Sequence, residues 1–176
     1  MYRIMVVDDE QNILNAIRRI TRKEKDWEVE FFDSPVEALK RAHGGNYELF
    51  LSDFRMPDMD GVKFLSETMS IHPDAMRVIL SGYTDLDALL GAINEAQIFR
   101  FISKPWMDYD LVTTLKQALS LRDMLIENRT LADEVRAQRE ELANRKTALE
   151  RLQQTNPVLA HVEWAADGSI ILDEPH

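Results

Sequence analysis

Five short apolar runs, each followed by a stretch with helical spacing, constrain the fold of this chain more than any other feature. The runs are "YRIMVV" (2–7), "WEVEFF" (27–32), "YELFLS" (47–52), "MRVILS" (76–81) and "FRFIS" (99–103). Each is rich in β-branched or aromatic residues and reads as a strand. Between the first two, Ile13, Ile17 and Ile20 share one helical face. A second helix opens at "SPVE" (34–37), with Ser34 as N-cap, Pro35 at the first helical position and Glu37 three residues after the cap. Gly44-Gly45 closes it. Gly61 precedes a third helix, and "TDLD" (84–87) starts a fourth with a cap of the same kind. Strands alternating with helices in this way predict an α/β, doubly wound, five-stranded parallel sheet covered on both faces.

After "KPW" (104–106) the texture changes. From Asp108 to Thr155 there is no proline or glycine, which predicts one long helix. Its opening turns carry Leu111, Leu115, Ala118 and Leu119, spaced to pack on the sheet. Beyond them a heptad register puts Leu121, Asn128, Val135, Leu142 and Leu149 at a, and Met124, Leu131, Gln138, Arg145 and Leu152 at d. The polar Gln138 and Arg145 weaken the seam, whereas Asn128 at a suits the register-fixing residue of a two-stranded coil. Arg136/Glu140, Glu141/Arg145 and Lys146/Glu150 are spaced as ion pairs of a solvated helix. A helix this long has little to hold it alone, so a parallel homodimeric coiled coil is expected; the alternative is one amphipathic helix folded back on its own domain. Pro157 ends the helix, and "HVEWAADGSIIL" (161–172) reads as a terminal β-hairpin around Asp167-Gly168. The expected organisation is a domain over 1–122, a coiled-coil helix over 123–155 and a tail over 156–176.

Composition narrows the function. The formal charge of −10 argues against the broad phosphate-neutralising surface of a nucleic-acid binder. No apolar run reaches the length of a membrane span, and "MYRIMVVDDE" lacks the basic region of a signal peptide. The absence of cysteine removes disulfides, thiolate metal sites and cysteine nucleophiles, and fits a cytoplasmic protein. His43, His72, His161 and His176 have no metal-ligand spacing.

The residues that end the strands carry the chemistry. The first run ends in Asp8-Asp9, the third in Asp53, the fourth in Ser81 and the fifth in Lys104. In a parallel sheet these ends lie along one edge, where open sheets bind ligands. Three carboxylates brought together repel and raise one another's pKa, so they need a cation. Oxygen ligands without cysteine or histidine point to Mg2+, which keeps several waters and accepts phosphate oxygens. A carboxylate nucleophile, a divalent metal, a lysine and a hydroxyl equip a site for phosphoryl transfer. Each residue also has a plainer reading: Asp8, Asp9 and Glu10 at the positive end of the next helix, Asp53 and Ser81 in turns, Lys104 solvated before a proline. Four strands ending this way together favour a site.

The motifs "VVDDE" (6–10), "SDFRMPDMDG" (52–61), "ILSGY" (79–83) and "FISKPW" (101–106) resemble those of the receiver domains of two-component response regulators, over residues 1–122. The resemblance implies a flavodoxin-like sheet of order 2-1-3-4-5. It implies that Asp53 accepts a phosphoryl group from a histidine kinase or phosphotransfer protein. Asp8, Asp9 and Asp53, with the backbone carbonyl of Arg55, would hold Mg2+, and Lys104 would pair with the phosphoryl oxygens. The Ser81 hydroxyl would swing toward the phosphoryl group and Phe101 would turn inward, remodelling the face of the fourth helix, fifth strand and fifth helix. A cis Lys104-Pro105 bond is implied as well. Serine stands at 81 where threonine is commoner, and Arg55 and Tyr83 occupy positions that vary in the family.

With no basic recognition helix and no Walker motif, no nucleic-acid partner and no catalytic output domain are expected in this stretch. "RFISKPW" more loosely resembles receivers joined to catalytic signalling domains. The readout then falls to an unidentified protein partner engaging the coil and hairpin, or to a domain outside this stretch. Two alternatives stand beside this reading. One is a Mg2+-dependent aspartate-nucleophile phosphohydrolase, which would favour an acid where Arg55 stands. The other is a phosphorylation-independent coiled-coil scaffold.

Overall fold

A computed structural model describes residues 1–82, 96–155, 163–164 and 170–171. The described elements are β1 (Tyr2–Val7), α1 (Gln11–Thr21), β2 (Trp27–Phe32), α2 (Pro35–Ala42), β3 (Leu49–Asp53), α3 (Gly61–Ile71), β4 (Met76–Ser81), β5 (Arg100–Ser103), α4 (Asp108–Thr155), β6 (Glu163–Trp164) and β7 (Ile170–Ile171). The helix expected from "TDLD", Tyr83 and the Asp167-Gly168 turn lie outside the described residues, so α4 is the fifth helix of the sequence reading. The chain divides into two compact units, residues 1–126 and 127–176.

In the first unit five parallel strands form a sheet in the order β2-β1-β3-β4-β5. Strand alternation sends Ile4, Val6, Leu49, Leu51, Val78 and Leu80 to one face. There they meet Leu14, Ile17 and Ile20 of α1 and Leu111, Leu115, Ala118 and Leu119 of α4. Met5, Val7, Phe50 and Ile79 point the other way, onto Ala38 and Ala42 of α2 and Phe64 and Leu65 of α3. β3 is buried along its whole length. Hence Leu49-Phe50-Leu51 is apolar on both faces with no polar alternation, and the strand closes on the buried Ser52 and Asp53. Burying each such large side chain contributes about 1.5–3 kcal/mol.

The helix starts follow from local hydrogen bonding. Ser34 Oγ accepts from the Glu37 backbone N–H at 3.4 Å, as its N-cap position requires. Asp60 Oδ1 accepts from Lys63 N–H at 2.8 Å, making Asp60 the cap and Gly61, expected just before α3, its first residue. The first strand and the first unit's last turn also hold each other, since the Tyr2 hydroxyl donates to Asp123 Oδ2 at 2.5 Å. Lys116 Nζ adds an ion pair to Glu24 at 2.9 Å, tying α4 to the turn after α1.

In the second unit α4 runs on to Thr155, and its described side chains from Glu127 onward are exposed. Glu141 and Arg145 pair at 2.6 Å, as their spacing predicts. Arg136, expected beside Glu140, reaches back to Asp133 at 3.0 Å, one turn away on the same face. β6 and β7 pair antiparallel, in agreement with the hairpin expected there. Among the described residues no helix is long and apolar enough to cross a membrane.

Candidate functional site

Asp8 follows β1, Asp53 ends β3 and Lys104 follows β5, so the parallel sheet delivers all three to its carboxyl edge. The Lys104-Pro105 peptide is cis, as the resemblance implies, and Lys104 N–H donates to the Ser81 carbonyl at 2.7 Å. Lys104 Nζ then stands 2.7 Å from Asp8 Oδ2 and 2.6 Å from Asp53 Oδ1, with Glu10 Oε1 at 3.5 Å. The other oxygen of each aspartate accepts a backbone N–H: Asp8 Oδ1 from Glu10 and Asp53 Oδ2 from Arg55, both at 2.8 Å.

Electrostatics follows from that burial. The Asp8 side chain has no exposed surface, and desolvation pushes its carboxyl up to about 6 although Lys104 pulls the other way. Desolvation also raises Asp53, opposed by Lys104 and reinforced by repulsion from Asp9. Burial lowers the Lys104 ammonium, but its hydrogen bonds to Asp53 and Asp8 outweigh that and leave it raised. The lysine is the counter-ion that lets two buried carboxylates sit on one edge.

The loop between β3 and α3 fixes Asp53 from below. Met56 is buried, and Phe54 and Met59 pack on the α2–α3 side of the core. Gly61 N–H donates to the Phe54 carbonyl at 2.9 Å. A Cβ on Gly61 would lie 2.0 Å from the Asp53 carbonyl oxygen, far inside contact distance. Ser52 Oγ donates to that same carbonyl at 2.9 Å. Only glycine fits there. Neither Ser52 nor this close approach was legible as a site feature; the "MDG" turn marked Gly61 as a helix boundary, and only the path of the loop reveals the contact.

The remaining predicted residues are placed as follows. Ser81 is buried, and its Oγ finds no hydrogen-bond partner among the described residues. Phe101 is exposed on β5. The Arg55 side chain is exposed while its N–H reaches Asp53. Asp9 is also exposed, and among the described residues no three acidic or histidine side chains are grouped to hold a metal ion. The expected trio is therefore a converged pair, Asp8 and Asp53, with Asp9 beside it. The donor set still fits a hard divalent cation: all its ligating atoms are oxygens, and two buried carboxylates with Asp9 nearby exceed the single charge of Lys104.

A flavodoxin-like doubly wound sheet with an aspartate–lysine–aspartate cluster at its carboxyl edge defines the class. Comparison with known proteins makes it specific: residues 4–116 match the response regulator receiver domain family, and the chain belongs to that family. The hydrogenase transcriptional regulatory protein HoxA of Bradyrhizobium diazoefficiens is 37% identical over 76% of this chain and 27% of its own length. An uncharacterized protein from Neptuniibacter caesariensis has a similar structure, with 39% identity and a TM-score of 0.67 over 72% of this chain and 93% of that one. A structure described as adenylate cyclase from Rhodopirellula baltica is similar at 29% identity and a TM-score of 0.69, over 75% of this chain and 97% of that one. The chain spans 25% to 33% of the length of the first curated relatives it matches.

Proposed function

We propose that this chain is a phosphorylation-controlled switch in a two-component phosphorelay, with Asp53 as phosphoacceptor. The observation that carries the reading is the convergence of Asp8 and Asp53 on Lys104 at the carboxyl edge. An Asp53 carboxylate oxygen attacks the phosphorus of a phosphohistidine on a histidine kinase or phosphotransfer protein. A P–O bond forms, the P–N bond breaks, and the imidazole leaves with the electron pair and a solvent proton. Asp53 must be ionised to attack, and Lys104 opposes the burial that would keep it protonated. After transfer, Lys104 pairs with phosphoryl oxygens and the Ser81 hydroxyl, which has no partner among the described residues, donates to one of them. Mg2+, held by Asp8, Asp9, Asp53 and the Arg55 carbonyl, would neutralise charge on the phosphoryl group.

The acyl phosphate biases a two-state equilibrium through Ser81 and Phe101. Moving it from 1:99 to 99:1 takes roughly 5.5 kcal/mol. Charge-assisted hydrogen bonds at about 1.5–3 kcal/mol each are of the right size. The output passes through a homodimeric coiled coil to an unidentified protein partner in the cytoplasm. The chain thus acts on its own aspartate, with no turnover of a separate substrate. Incubation with a small phosphodonor and Mg2+ should add one acid-stable, base-labile phosphoryl group, read by intact mass. Asp53→Asn should not acquire it, and the same modification on that variant overturns the assignment.

A further inference from the structure

We propose that the exposed helix of the second unit recognises a second copy of this chain in one arrangement, parallel and in register around paired Asn128 residues. This rests on the coiled-coil reading above and adds the charge pairing by which the helix selects a parallel, in-register copy of itself. Leu131, Val135, Leu142, Leu149 and Leu152 form an apolar stripe, each between 46% and 64% exposed. With Leu121 at a, the flanking g positions hold Glu127, Glu134 and Glu141, and the e positions hold Ala132, Arg139 and Lys146.

In a parallel two-stranded coil each g residue faces the e residue five positions further along the other chain. Glu134 then meets Arg139 of the second copy, and Glu141 meets its Lys146. Two-fold symmetry doubles these into four attractive contacts, with no like-charge pair among them. In an antiparallel coil g faces g and e faces e; with Leu149 opposite Met124, Glu134 would oppose Glu141, while Arg139 and Lys146 would face Ala132 and Leu125 and lose their glutamate partners. Register is set at Asn128. Only in-register pairing lets its amide bond to its counterpart; a one-heptad slip places it against Val135 or Leu121, with its polar atoms unpaired. Arg145, at d, faces its own copy, and its 2.6 Å contact with Glu141 on the same chain supplies the compensating charge. The surface is complementary to itself, and a foreign helix would have to reproduce the same charges and the same asparagine.

The chain has no cysteine, so one introduced thiol reports orientation in the full protein without interference. Light scattering should give twice the monomer mass, and Leu149→Cys should link nearly completely on mild oxidation. In an antiparallel coil centred on the heptad run from Leu121 to Leu152, Leu149 would oppose Met124, leaving the two thiols about 38 Å apart at 1.5 Å per residue. A dimer in which Leu149→Cys fails to link, but links to Met124→Cys in a mixture, overturns the orientation and leaves the coil standing. A monomer at every concentration overturns the coil itself. Reversing Glu134 and Glu141 to Lys should weaken self-association about thirty-fold. Mixing that variant with one carrying Arg139→Glu and Lys146→Glu should restore it. Unchanged association of both variants overturns the selectivity.

Discussion

Replacing Asp8 with Asn should stabilise the metal-free protein at neutral pH and leave it almost unchanged in acid. Burial raises the Asp8 carboxyl from 3.8 to about 6. Between those values the folded chain holds a proton that the unfolded chain has released. A raised folded-state pKa contributes stability that is complete below about 3.8 and is lost as pH climbs through about 6. The difference of about two pK units corresponds to about 3 kcal/mol at 1.36 kcal/mol per unit. Asparagine keeps the oxygen that accepts from Glu10 N–H but carries no charge to desolvate. Urea denaturation with EDTA, followed by circular dichroism, should therefore separate variant from wild type by about 3 kcal/mol near pH 7.5 and by less than about 1 kcal/mol near pH 4. Asp53 shares Lys104 with Asp8 and repels it, so the difference reports the Asp8 charge together with that coupling. A variant no more stable at neutral pH, or a gap that does not change with pH, refutes the reasoning, because the Lys104 contact would then outweigh burial. Adding Mg2+ should stabilise the wild type and do so less in the variant, in proportion to the affinity lost.

Three further outcomes follow from the geometry. Gly61→Ala places a Cβ 2.0 Å from the Asp53 carbonyl, so chemical denaturation should reveal a loss of about 1–3 kcal/mol and phosphorylation should slow; unchanged stability would mean that the loop yields freely. Ser81→Ala removes a buried hydroxyl without a described partner, so stability should stay within about 0.5 kcal/mol while the response to a phosphoryl mimic is lost. A clear destabilisation would place a structural bond there. Arg145→Leu converts a polar d layer to an apolar one and should raise the melting temperature of the coil in a concentration-dependent scan, whereas a lowered one would place Arg145 outside the seam.

The strand runs, the Ser34 cap and the core leucines of α4 were legible because strand and helix periods dictate which side chains share a face. Asp8, Asp53 and Lys104 were legible for a related reason: parallel strands must bring their carboxyl ends to one edge. Asp9 is instructive. Its neighbour Asp8 is buried in the site, whereas Asp9 stands at a bend just past β1 and is exposed, so a grouped trio could not follow from adjacency alone. The Gly61 contact depends on how a seven-residue loop arches back, and the Tyr2–Asp123 bond joins residues separated by 121 positions. Neither leaves a local pattern to read. Arg136 chose Asp133 because several acids lie within reach of one flexible side chain and spacing does not rank them.

That Tyr2–Asp123 bond bears on how the protein is made. The ribosome releases Tyr2 well before Asp123, so its hydroxyl has no Asp123 to meet until more than a hundred further residues have emerged. β1 can pair with β2 and β3 as they appear, but Ala118 and Leu119 must also arrive before the α1 side of the core is filled. A nascent chain halted at residue 116, where the family match ends, would lack all three. Completion of the domain during translation is therefore set by the emergence of the turn carrying Asp123, several residues past that match.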